Sequence, residues 1–109
     1  MTAYTEYLKT IPNDEKFVEE LIFIKTELLC RAQSILPGEK YALNRLEKIQ
    51  VHLRTGSDFK LNIVGYTNFR PIDEFIGGEE FLYSSLGKRF IDVCFYFAFI
   101  YWPNHINKK

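Results

Sequence analysis

The sequence predicts an α+β fold, with amphipathic helices first and a small antiparallel sheet after them. Three observations carry this expectation. Apolar residues recur at helical spacing as far as Arg54, they alternate singly from Phe59 to Val64, and the run RFIDVCFYFAFIYW, Arg89 to Trp102, is rich in β-favouring residues and apolar on both faces.

Tyr4, Tyr7, Leu8 and Ile11 recur at helical spacing until Pro12, which predicts a short first helix or ordered arm. Asn13 restarts the chain as a helix cap, with Asp14 and Glu15 in the first turn, where acids offset the positive end of the helix dipole. Phe17, Leu21, Ile24, Leu28, Ala32 and Ile35 continue that stripe to the stop at PGE. A third helix is expected from about Glu39 to Arg54, with Ala42, Leu46, Ile49 and Leu53 on one face, Arg45, Lys48 and Arg54 on the other, and TGSD as its end.

Beyond Asp58 the period changes to two. Phe59, Leu61 and Ile63 point one way and Lys60, Asn62 and Val64 the other, the pattern of a strand. Gly77-Gly78 within DEFIGGEEF is a hairpin signal, because both central residues of a tight hairpin turn need positive φ; a helix break competes with it. SSLGK marks a turn, and the run from Arg89 to Trp102 follows as a central strand covered on both sides. The strand reading rests on company, since the segment from Phe59 to Tyr66 needs a pairing partner for its backbone groups. The alternative is an all-α bundle with a central C-terminal helix. Leu82, Leu86, Val93, Phe97 and Ile100 would form its stripe, and Ala98 favours it.

A chain of 109 residues fits one domain, 1–109, and its 17% aromatic content predicts a core of large rings. The uncharged run from Val93 to Trp102 is ten residues long, far below the ~18 to 20 of a membrane-spanning helix. The opening MTAYTEYLKTIPNDEK has neither a basic start nor an apolar core run, which predicts an intracellular, cytoplasmic protein. Cys30 and Cys94, in apolar surroundings and without metal-ligand spacing, read as buried free thiols of a reducing compartment.

Few residues offer chemistry. His52, near the end of the third helix, reads as a surface or boundary residue, and His105 lies in the polar tail. Cys30 sits within a helix stripe, and Ser84 and Ser85 lack the strand-to-helix elbow of a hydrolase. Gly77 and Gly78 are followed by two glutamates, whose charge repels a phosphate. Asp73, Glu74, Glu79 and Glu80 have no EF-hand spacing. The expectation is a protein without catalytic activity, cofactor or metal.

Charge is more informative. Bases and acids balance at 14 each, which removes the net field that binding to a nucleic-acid backbone relies on. Locally the charges separate. Pro71 to Gly87 holds four acids and no base, whereas Tyr41 to Arg70 holds five bases and two acids. Arg45, Lys48, Arg54 and Lys60 therefore make only a thin basic face, interrupted by Glu47 and Asp58.

Asp73, Glu74, Glu79 and Glu80 flank the Gly-Gly turn together with Phe75, Phe81 and Tyr83. Acids steer a basic partner and desolvated rings supply affinity, so these seven residues form the expected partner-binding surface. The profile is that of a small protein-binding inhibitor of the immunity or antitoxin type, one that covers the active site of a toxic enzyme such as a nuclease, whose cleft is basic. Two alternatives fit the same composition. One is a virus-encoded or host regulatory protein that blocks a complex, and the other is a homodimer that buries Phe97, Phe99, Tyr101 and Trp102 between subunits.

Overall fold

Asn13 opens a helix as its side chain predicts, accepting the Lys16 N–H at 2.8 Å on its Oδ1. The computed structural model describes residues 11–31, 33–55 and 63–106. In chain order these form α1 (Asp14–Leu29), α2 (Pro37–Thr55), a 3-10 helix (Ile63–Thr67), α3 (Arg70–Asp73), α4 (Gly78–Tyr83), α5 (Ser85–Tyr96) and a π-helix (Phe97–Ile106). The expected helix over Tyr4–Leu8, Ala32 and the stretch Gly56–Asn62 lie outside the described residues.

The expected α+β class is overturned: among the described residues there is no strand and the architecture is all-helical, as in the alternative. Ile63 to Thr67, the end of the expected first strand, is a turn of 3-10 helix. Without a partner strand the run from Arg89 could not pair its backbone, whereas a helix satisfies its own N–H and C=O groups. A helix apolar all round belongs in a core. α5 is surrounded accordingly, packing on α1, on α4 and on the 3-10 helix, with Phe90, Val93 and Cys94 fully buried. SSLGK is its start rather than a turn, because the Ser84 hydroxyl caps α5 by accepting the Gly87 N–H at 3.0 Å.

At Phe97 the ladder widens from α to π. A π turn bonds residues five apart, and Phe97 and Trp102, at that separation, lie with their ring centroids 6.0 Å apart. Phe97 is fully buried and also meets Phe17, Tyr66 and Tyr101. From the other side Phe17 stacks on Tyr96 at 5.0 Å and leans on Tyr101 at 5.4 Å.

Polar ties fix the helices around this core. The Arg89 guanidinium donates two bonds to the Glu20 carboxylate, at 2.8 and 2.6 Å, while lying 4.1 Å above the Phe23 ring. Tyr96 donates its hydroxyl to Asp14 at 2.6 Å, and Lys25 donates to Gln50 at 2.6 Å, tying α1 to α5 and to α2.

Candidate functional site

The Gly-Gly segment is not a hairpin. Of the two glycines only Gly77 has positive φ, at 80°, and it serves as the left-handed residue that turns the chain into α4. Gly78 supplies closeness instead. A Cβ on Gly78 would stand 1.6 Å from the carbonyl oxygen of Ile72, and a Cβ on Gly38 would stand 2.3 Å from the Gly78 Cα. The start of α2 and the start of α4 thus meet backbone to backbone.

This packing fixes the loop between α3 and α4. Gly38 donates its N–H to the Ile76 carbonyl and Gly78 donates to the Phe75 carbonyl, both at 2.9 Å. Leu36 is held in turn, its N–H donating to Glu39 Oε1 at 3.1 Å while Arg31 grips the other carboxylate oxygen. The consequence is a ridge of apolar side chains on an anchored backbone. Ile76 is 75% exposed, Phe75 leans on Tyr41 yet stays 45% exposed, and Leu36, lying against Gly77, is 42% exposed.

The expected site residues divide around this ridge. Asp73, Glu74, Glu79 and Glu80 are all exposed, as is Tyr83 at 74%. Glu79 and Glu80 stand in the first turn of α4, where they also offset its dipole. Arg70 pairs with Glu74 at 3.4 Å, an exposed contact that moderates the local negative charge. Phe81 does not join the surface: it is 3% exposed and packs on Phe90 at 5.6 Å, so it is a core residue and no anchor for a partner. Sequence reasoning missed Leu36 and Ile76. The signal for Ile76 was an apolar pair, Phe75-Ile76, inside a turn too short to bury both.

Beside the acids lies an open groove of about 320 Å³ lined by Phe69, Arg70, Asp73, Leu82, Tyr83 and Ile91. A larger groove, about 580 Å³, runs along α2 past Asn44, Lys48 and Val51 to Tyr66. Of its bases Arg45 and Lys48, Arg45 is buried and spent, donating to the carbonyls of Tyr66 and Asn68 and lying over the rings of Tyr41 and Phe69. Lys48 and Glu47 share the rim of this groove. The thin basic face thereby loses Arg45, while Lys60 lies outside the described residues.

Residues weighed for catalysis are committed elsewhere. His52 is not at the boundary but buried among Tyr66, Phe97 and Trp102, and burial holds its imidazole below the ordinary histidine value. The Cys94 thiol is buried and pushed up to about 12 by desolvation, far from the thiolate a nucleophile needs. Cys30, expected inside, is exposed. The Ser84 hydroxyl is used in the cap, and it donates to the Phe81 carbonyl. The side chain of His105 lies outside the described residues. Among the described residues no three histidine, cysteine or acidic side chains gather as a metal site, and no helix is long and apolar enough to cross a membrane.

Comparison of the chain with protein-family models, with curated proteins and with solved structures returned no match.

Proposed function

We propose that this chain is a protein-binding inhibitor of the immunity or antitoxin type, acting in the cytoplasm by covering the basic active-site cleft of a toxic enzyme such as a nuclease. The observation that carries the proposal is the ridge of Leu36, Phe75 and Ile76, exposed on a backbone tied at Leu36, Phe75 and Ile76, with Asp73, Glu74, Glu79 and Glu80 around it. Anchors presented on a fixed backbone have little conformational entropy left to lose on binding, which favours tight association from a small surface. The acids add steering toward a basic partner and discriminate against acidic ones. Free Cys30 and Cys94 accord with a reducing compartment.

The test is capture of partners from the native cells by the tagged chain, run beside a variant with Asp73→Asn, Glu74→Gln, Glu79→Gln and Glu80→Gln. The proposal expects one stoichiometric basic enzyme held by the wild type through a salt wash, inhibited by it, and released by the variant. A partner retained equally by the variant removes the acidic surface from the account. A homodimer or a regulator of a different complex would appear in the same experiment, as self-capture or as a captured assembly without toxic activity.

A further inference from the structure

The groove beside Asp73 shares no lining residue with the ridge of Leu36, Phe75 and Ile76. It is lined by Phe69 and Leu82 with Ile91 of α5, and by Tyr83, Asp73 and Arg70, the last paired with Glu74. Glu79 and Glu80 lie four and three residues before Tyr83 on α4, so both carboxylates share the side of the helix that Tyr83 occupies. An apolar groove with Asp73 in its lining therefore lies on the side of α4 that carries these two acids. At about 320 Å³, the groove is at the low end of the volumes that seat small ligands.

Three occupants compete, and charge separates them. A second copy of this chain docking by the same face would set its own Asp73, Glu79 and Glu80 against these, which like-charge repulsion opposes. A small polar ligand would need convergent buried polar groups, whereas Arg70 is 84% exposed and engaged with Glu74. A segment with an apolar face and lysines or arginines beside it satisfies the apolar lining and the acids together.

We propose that this groove seats a short cationic amphipathic segment of the partner protein, its apolar side chains on Phe69, Leu82 and Ile91 and its basic side chains toward Asp73, Glu79 and Glu80. The proposal rests on the reading that the chain works by binding a basic protein, and it adds a second contact beside the Ile76 ridge. Tyr83 is the exposed aromatic in the groove's lining, a residue type enriched among binding hot spots.

The test uses the full chain and three fluorescent peptides of roughly three helical turns, about 11 residues. One carries leucine and lysine at helical spacing, the second is its scrambled sequence, and the third replaces lysine with glutamate. Fluorescence anisotropy is expected to give the first peptide an affinity at least about tenfold above the other two. Tyr83→Ala and Asp73→Asn, both at exposed positions, should each weaken it about threefold or more, with Ile76→Asp leaving it unchanged. Equal binding of the scrambled peptide, or indifference to Tyr83→Ala and Asp73→Asn, overturns the groove proposal. Loss of binding on Ile76→Asp alone also overturns it, by moving the contact to the ridge. Titration of the captured partner against Ile76→Asp tests the ridge without touching the groove acids, so either surface can fail without the other.

Discussion

The N–H of Gly38 meets the carbonyl of Ile76 at 2.9 Å, joining the start of α2 to the most exposed apolar side chain of the loop between α3 and α4. The bond exists because Gly38 and Gly78 lack side chains at the point where their backbones touch. Gly38→Ala would put a methyl group 2.3 Å from the Gly78 Cα, so the two segments must part. Overpacking of this kind costs about 1–3 kcal/mol. Urea denaturation of Gly38→Ala should show that loss with the slope preserved, and an unchanged midpoint would contradict the close contact.

Phe97→Ala should destabilise the chain by about 3–5 kcal/mol, since that ring is fully buried among Phe17, Tyr66, Tyr101 and Trp102. Ile76→Asp, at a position 75% exposed, should stay within about 0.5 kcal/mol of wild type. The pair separates core from ridge in one set of denaturation curves. A small cost for Phe97→Ala would place that ring at an external interface and revive the homodimer.

Stability should depend on pH in two windows. Burial holds the folded His52 below its ordinary value of 6.5, so the unfolded chain takes up that proton more readily. Its contribution is whole above about 6.5 and declines as pH falls through and below that value. Glu20 is held below 4.5, chiefly by its hydrogen bonds from Arg89 and against the opposing effect of burial. Its contribution is whole above 4.5 and is lost as pH falls from there toward its folded value. Unfolding midpoints across pH 7 to 3 should therefore fall in two stages, with His52→Gln removing the upper and Glu20→Gln the lower. A flat midpoint between pH 7 and 5 in the wild type would contradict the buried, neutral imidazole.

The thiols should differ in reactivity. Cys30 is exposed, whereas Cys94 is buried with its thiol pushed up to about 12. A disulfide reagent should titrate one thiol per native chain quickly and the second only on unfolding. Two fast thiols would mean that the core around Cys94 opens readily.

The first half of the fold was legible because its periodicity is one-sided. Phe17, Leu21, Ile24 and Leu28 of α1 and Ala42, Leu46 and Ile49 of α2, read as core stripes, are all fully buried. The run from Arg89 to Trp102 gave no such guide, because a segment apolar all round has no face to reveal its period. Its β-favouring composition was overruled by context, since neighbours on several sides can bury a helix of rings as well as a strand. Ala98, 5% exposed, was the cue that pointed to a helix, whereas Ser84, read as part of a turn, is the cap that starts it. At the surface the segregated acids were legible from spacing alone. Ile76 outside and Phe81 inside were not, because each rests on a tertiary contact that neighbouring residues do not encode, the Gly38–Gly78 approach for Ile76 and the Phe90 ring for Phe81.

The most direct test of the account compares Ile76→Asp with the wild type in partner binding, after far-ultraviolet circular dichroism and denaturation have shown the two equally folded. The protein recovered from native cells by the wild type would be titrated against both chains by calorimetry. The account predicts a loss of at least about 2 kcal/mol in affinity for Ile76→Asp, the threshold of a hot-spot residue. Equal affinities for the two equally folded chains would contradict it and move the binding surface away from the glycine-anchored ridge.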